Sequence, residues 1–490
     1  MGEKAGPDRI VIQLENALEK NEMPPVGFLH DFHTKAVGDT CTKCHTEEKG
    51  GTVFKFKRTQ DQATMEFYHD NCVACHAEKK TAGEPFGPLT AECRSCHGDK
   101  PPAGSTWSEI KFDKALPYIH ESSAQIKGKV SSEEDNCSQC HHQYNLKSKE
   151  TFFTKGQEEA CIYCHKPEKK DDIRRLRNAS HDSCVKCHQS LKAKQVSAGP
   201  VMCAGCHDET MQAKIEKPDQ TPRMKRNQPD VIAITGWKKG GKEKSSFMNA
   251  VAFSHEFHEA KAQSCKTCHH ETLKKCSDCH STDGGDVKGG FVSLEKAMHN
   301  TDSSRSCVGC HQQTAATQNC AGCHAIMPQA TQGSASCTTC HNLKTQQIET
   351  MGGENAAKGA LAALDARYTK VTLDKIPEEV TIGLLSKDYK PSQFPHRKVV
   401  QTIIEKVEVN EMAKSFHGDQ AGLCMGCHHN SPKTLNPPKC ASCHSKNGPD
   451  PDGRPGLKGA YHGQCITCHQ KMAVQTVLAT DCVKCHEEKK

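Results

Sequence analysis

The chain has 490 residues, yet only 35% are hydrophobic and 5% aromatic, and its mean hydropathy is −0.72. This composition excludes the apolar cores that a chain of about three domains normally carries, and no segment is long and apolar enough to cross a bilayer. Taken alone, so polar a chain reads as disordered, and its formal net charge of +6 is weak ground for nucleic-acid binding.

In chain order, residues 1–8 show no apolar signal core, and 11–18 predict a short amphipathic helix, a lid on the first cysteine-bearing segment. A five-residue motif then recurs. It appears three times near the N-terminus, as Cys41-Thr-Lys-Cys44-His45, as Cys72 and Cys75 with His76, and as Cys93 and Cys96 with His97. Four more copies come next: Cys137 and Cys140 with His141, Cys161 and Cys164 with His165, Cys184 and Cys187 with His188, and Cys203 and Cys206 with His207. Residues 208 to about 252, rich in Lys, Pro and Gly (238–242 above all), read as a long surface connection. The next four copies are Cys265 and Cys268 with His269, Cys276 and Cys279 with His280, Cys307 and Cys310 with His311, and Cys320 and Cys323 with His324. Cys337 and Cys340 with His341 stand alone. Residues 342 to about 415 hold no motif and are too long for a plain linker. Within them 356–368 predict a helix and 380–385 a short strand, read as packing support around the lone motif in preference to a docking site. The last four copies are Cys424 and Cys427 with His428, Cys440 and Cys443 with His444, Cys465 and Cys468 with His469, and Cys482 and Cys485 with His486.

All thirty-two cysteines therefore fall in sixteen copies of Cys-x-x-Cys-His. This is the attachment motif of c-type haem, in which two thioethers hold the porphyrin and the adjoining histidine becomes an axial iron ligand. Zinc sites need two cysteine pairs per metal and no histidine after each. Disulfides between residues three apart would join nothing distant. The expected cofactor is thus sixteen covalently attached haem c groups. At roughly thirty residues per haem, porphyrin replaces the missing apolar core, as covalent staples do in other small scaffolds. The propionates of sixteen haems add about thirty-two negative charges, so the loaded protein should be net acidic with locally basic loops. Because this attachment takes place outside the cytoplasmic membrane, the chain is expected to be a mature exported, periplasmic protein without its signal peptide. Any association with a membrane would run through partner subunits.

Sixteen of the thirty histidines belong to motifs, and the fourteen others are not scattered. His142, His270 and His429 directly follow a motif; His30 with His33 and His255 with His258 form His-x-x-His pairs; His69, His181 and His462 lie three residues before a motif. His120, His299, His396 and His417 complete the set. Fourteen candidates for sixteen irons leave two without a second histidine.

At this point the residues carry a resemblance. The run Phe253-Ser-His255-Glu-Phe-His258, Cys265 to His270, Cys276 to His280, His299, Cys307 to His311 and Cys320 to His324 is similar to a whole class III tetrahaem cytochrome c of sulfate-reducing bacteria. The resemblance implies that His255 serves the haem on Cys265, His270 that on Cys276, His258 that on Cys307 and His299 that on Cys320. Repeated along the chain, it implies tandem class III modules with haems as core, mostly irregular with short α-helices and little β: a trihaem module over 1–105, a tetrahaem module over 106–210, a linker plus tetrahaem module over 211–325, an orphan-haem segment with a helical connection over 326–411, and a tetrahaem module over 412–490. The order resembles the sixteen-haem, high-molecular-weight cytochromes c of the same bacteria.

Departures from the template mark exceptions. In the second module the pair reads Pro117-Tyr-Ile-His120, so His120 should serve Cys184 and Cys137 should lack a partner. In the last, Gln420 stands three residues after His417. His417 is then assigned to Cys424, His396 to the lone Cys337, and Cys465 is left open. Methionine (Met412, Met425 or Met472), water or nothing remain alternatives for these two irons. No catalytic residue is expected. The function implied is an electron-transfer wire in sulfate respiration and hydrogen metabolism, from hydrogenase through a soluble tetrahaem cytochrome c to a transmembrane redox complex. The alternative is a multihaem reductase acting at an open haem on nitrite, hydroxylamine, a sulfur oxyanion or a metal ion. No motif has lysine in place of its histidine, which counts against one nitrite reductase family.

Overall fold

Regular elements are short among the described residues, because each Cys-x-x-Cys-His motif imposes its own turn every few tens of residues. The computed structural model describes residues 8–12, 23–38, 40–48, 51–55, 68–98, 107–108, 110, 112–130, 136–167, 172–224, 226–236, 248–324, 334–366, 368–386, 389–478 and 481–489. Most of its helices are of one to four turns, and the longest among the described residues is Leu457–Lys471. Among the described residues its strands form two-stranded antiparallel hairpins. They are β1 (Arg9–Ile12) with β2 (Val26–Leu29), β3 (His45–Glu48) with β4 (Gly51–Phe54), β5 (Gln143–Asn145) with β6 (Glu150–Phe152), β7 (Val231–Ile234) with β8 (Val251–Ser254), and β9 (Val380–Ile382) with β10 (Ser392–Phe394). Mostly short helices with little strand is the architecture expected.

Three of these hairpins are copies of one device. Their first strands share Pro, an acid, any residue, Ile or Val, any residue and Ile: 7–12, 229–234 and 377–382. Their second strands carry the phenylalanine of a Phe-x-His sequence, and a helix begins on the histidine itself: His30–Ala36, His255–Lys261 and His396–Glu408. The same bond closes each copy. The N–H of Asp31 donates to Asp8 O (3.4 Å), that of Glu256 to Asp230 O (3.0 Å) and that of Arg397 to Glu378 O (3.2 Å). Two expectations are corrected here. Ile10, Val11 and Ile12 lie on β1, where their β-branched side chains suit an extended backbone, so no helix starts at 11; residues 13–18 of that helix lie outside the described set. The connection read over 208–252 includes β7, a structural strand, whereas 238–242 are not among the described residues.

The chain divides into two compact units, Met1–Arg226 with seven motifs and Asn227–Lys490 with nine. Within the second, Ala250, Leu343, Ala356 and Ala357 form a small buried cluster, against which Val231, Ala233, Ala252, Ile348 and Ala360 pack. Ala250 and Leu343 exchange both backbone bonds, at 2.9 and 3.0 Å. The helix expected near 356–368 is Gly353–Asp365, its small residues laid on the β7–β8 hairpin beside the turn that follows His341. Apolar burial of this kind is rare elsewhere in the described chain. Leu343 is fully buried, so Leu343→Ala should destabilise the second unit by about 3 kcal/mol; a lower denaturation midpoint with an unchanged haem count would show it.

Candidate haem-ligand sites

Each motif folds as one helical turn. In Cys137–Gln139, Cys265–Thr267, Cys276–Asp278 and Cys440–Ser442, 3-10 geometry brings the second cysteine's N–H to the first cysteine's carbonyl at 3.2–3.3 Å. The histidine N–H reaches the same carbonyl, at 2.9 Å for His141 and 2.8 Å for His280. Two sulfurs and one imidazole are thereby gathered on a single short turn, the grouping needed to hold one porphyrin edge and its iron. All thirty-two thiols are free of disulfides.

Most motif histidines are oriented from behind, through a ring nitrogen Nδ1 that donates to a backbone carbonyl. Examples are His97 to Pro24 (2.7 Å), His207 to Ser108 (3.0 Å), His280 to Val292 (3.0 Å), His341 to Asn249 (2.6 Å) and His444 to Pro455 (2.8 Å). That leaves Nε2 as the ligating atom and raises its basicity. In the two N-terminal modules the carbonyl comes from a Gly-Pro step twelve residues on, His76 to Pro88 (2.7 Å) and His188 to Pro200 (2.9 Å). Only glycine fits there, because a Cβ on Gly87 or Gly199 would lie 2.5 Å from the histidine ring.

The other histidines stand opposite these rings. Fourteen motif histidines each face one non-motif histidine, with ring centroids 5.8–6.3 Å apart. Two imidazoles on opposite sides of one iron, each bonded at about 2 Å, put their centroids about 6 Å apart. Direct contact between the rings would be closer, so the gap fits a porphyrin iron and the residues present suit haem. Burial, the leading cause, holds His258, His311, His417 and His269 below the ordinary imidazole range, which keeps them neutral, the form that ligates.

Eleven pairings are those implied by the family template. His30 faces His45, His33 faces His76 and His69 faces His97. His120 faces His188, His142 faces His165 and His181 faces His207. In the second unit His255 faces His269, His258 faces His311, His270 faces His280, His429 faces His444 and His462 faces His486. The hairpin phenylalanines steady the pairs: Phe28 lies 4.2 Å from His33, and Phe253 4.2 Å from His258. A π-helical turn carries His69 with Cys72, and another His181 with Cys184, so one turn holds the distal ligand of one site and the attachment of the site before it.

Three assignments are corrected. His299 faces His341, not His324, at 6.0 Å. His324 is met by His417 at 6.0 Å, and His428 by His396 at 6.3 Å. The physical reasons are local. His299 lies eight residues before Cys307, whereas its counterparts His69, His181 and His462 lie three before theirs, so it does not share their helical turn. His396 is the histidine of the third Phe-x-His hairpin, so β9 and β10 belong to the last module's ligand apparatus and do not support the lone motif. The signal was present in Phe394-Pro-His396, which repeats Phe28-Leu-His30 and Phe253-Ser-His255.

His141 and His469 are the two motif histidines without a facing imidazole. The residue three after His396 is Val399, where His33 and His258 stand in the other copies; it, and not Gln420, replaces the missing histidine. Gln420 is buried and structural: its Nε2 donates to Tyr368 Oη (2.9 Å) and Glu408 Oε1 (3.1 Å), and its Oε1 accepts from the Val371 N–H (2.9 Å). Met472 packs on Gly322 and lies 3.8 Å from Cys468 Sγ.

The attachment cysteines are themselves neighbours. Burial, then the charge of Cys323, Cys465 and Cys468, pushes the Cys427 thiol up to about 12. Burial, then Cys140, Cys161 and Cys206, takes Cys184 to about 11, and Cys203 is raised by burial and by Cys41 from the preceding module. The attachment points of neighbouring sites therefore lie close together within each unit.

The exchanged ligands have a direct test. His299→Ala should convert one low-spin haem to high-spin, and removing the Cys337 attachment in that background should abolish the new signal. Removing the Cys320 attachment should not. Electron paramagnetic resonance of the oxidised protein reads both outcomes.

Comparison with known proteins agrees with this geometry. The class III cytochrome C family matches residues 106–207, 231–341 and 391–487, the last match starting ahead of His396, and the family "cytochrome c7 and related cytochrome c" matches 26–98. The chain is 42% identical over its full length to the high-molecular-weight cytochrome c of Nitratidesulfovibrio vulgaris Hildenborough, covering 93% of that protein. It superposes on the crystal structure of the high-molecular-weight cytochrome c of Desulfovibrio vulgaris Miyazaki F with a TM-score of 0.83 and 38% identity, over 99% of this chain and 98% of the other. For the sixteen-haem cytochrome of Desulfovibrio gigas the TM-score is 0.75 and the identity 36%, over 99% of both chains. The paired imidazoles, the attachment turns and these likenesses lead to one conclusion: the chain belongs to the class III cytochromes c, as a multihaem member of their high-molecular-weight kind.

Proposed function

We propose that this chain holds sixteen haem c groups and conducts electrons in the periplasm, from hydrogenase by way of a soluble tetrahaem cytochrome c to a transmembrane redox complex. The observation that carries this reading is the pairing of fourteen motif histidines with fourteen others at one spacing. Bound haem iron supplies a one-electron couple. Each of the fourteen facing pairs would hold one iron from both sides, which would exclude substrates from that site. The turns that share a distal histidine and a cysteine, and the grouping of thiols within each unit, would bring neighbouring cofactors close together. No helix among the described residues is long and apolar enough to cross a membrane, so delivery to a membrane complex is assigned to docking.

The test uses the loaded full chain with hydrogen, hydrogenase and a tetrahaem cytochrome c. Reduction should accelerate by about tenfold or more when catalytic tetrahaem cytochrome is added at low salt, and lose that gain at high salt, as expected for electrostatically steered encounter. Equal rates with and without the tetrahaem cytochrome would remove it as the donor. Steady turnover of nitrite or a sulfur oxyanion by the isolated chain would favour a reductase instead.

A further inference from the structure

We infer that the haem on Cys137 has a free axial face and is a binding site for small neutral diatomic ligands, with carbon monoxide as the probe. The motif histidine there is set as in its counterparts. His141 Nδ1 contacts Glu159 O at 3.2 Å, as His269 does Lys274 O (3.2 Å) and His428 does Pro438 O (3.2 Å). Those two rings are met by His255 and His396, each the first residue of a helix.

In the second module the corresponding helix is Ala115–Glu121. Its register rests on one bond. His120 Nδ1 reaches Leu116 O at 2.7 Å, as His33 reaches Leu29 O (2.8 Å) and His258 reaches Ser254 O (2.7 Å). The residue after the acceptor carbonyl is His30 in the first module, His255 in the third, and Pro117 here. His120 is committed to His188, and every other non-motif histidine is paired elsewhere. Proline costs this helix nothing, since in the first turn its missing N–H would have no partner, so the module folds with its ligand position blank.

The residues beside the blank position are apolar. Ala115 and Leu116 are each only 8% exposed, and Pro117 has neither a side-chain nor a backbone donor. The charge beside the His141 ring is compensated: Glu158, 8% exposed, accepts from the Gly156 N–H at 2.8 Å and pairs with Arg226 at 3.3 Å. Against Ala115, Leu116 and Pro117 an anion gains no hydrogen bond for the hydration it gives up, whereas a neutral diatomic ligand loses little. Binding forms one dative bond to ferrous iron, breaks none and moves no electron.

This inference is independent of the electron route proposed above. The dithionite-reduced holoprotein is titrated with carbon monoxide, with haem content checked by pyridine haemochrome. Pro117→His, which restores the His-x-x-His pair, should bind one equivalent fewer than the wild type and lose one high-spin haem from the oxidised resonance spectrum. Wild-type protein that binds none, or a fully loaded Pro117→His variant that binds as much as wild type, overturns the inference. Should that variant fail to fold, Val399→His in the second unit decides: it should keep at least one equivalent, and complete loss overturns the site at Cys137.

Discussion

The structure depends on one constraint, the separation of about 6 Å between two imidazoles that share an iron. A chain with so few buried apolar side chains has little else to hold distant segments in place. Each pair joins an attachment turn to a ligand from another element: His30 to His45 across an α-helix and a 3-10 turn, or His417 to His324 across nearly a hundred residues. The pairs act as tertiary contacts of fixed length and take the place of the core packing of an ordinary domain. The apolar cluster around Leu343 and Ala357 supports the β7–β8 hairpin, which leads directly into the helix of His255 and His258.

Economy of ligands comes from helical spacing. Residues three apart on a helix share a face, so His69 with Cys72, and His181 with Cys184, serve two sites from one turn. The same rule explains the exchange in the second unit. His299 is off that spacing and turns to His341; His324, left open, is met by His417; and His396, released from the lone motif, returns to His428 as the hairpin dictates. The three changes are one rearrangement. It binds the lone site and the last module to the third module within a single unit, since each of these irons draws its two ligands from separate stretches of the chain.

Much of this is legible in local pattern, and the exceptions have definite causes. The motif count and the helix near 353–365 are set by contiguous residues, whereas the eleven template pairings are legible only through the resemblance to the class III template, because partners such as His120 and His188 lie far apart in the chain. The strand at Arg9–Ile12 is ambiguous by itself, because its β-branched and apolar residues fit both a strand and an amphipathic turn; only its repeat at Val231–Ile234 distinguishes them. Gln420 has the spacing of a lost ligand from His417, yet its side chain is spent on Tyr368, Glu408 and Val371, contacts that spacing alone does not reveal.

The sequence by itself determined the class of protein, the attachment residues and the shortage of two histidines, for these are matters of residue type and count. Only the tertiary structure decided which histidine meets which motif at Cys320, Cys337 and Cys424. Ligation needs two rings on opposite sides of one iron, and positions nearly a hundred residues apart acquire that relation only when hairpin, helix and turn are folded together.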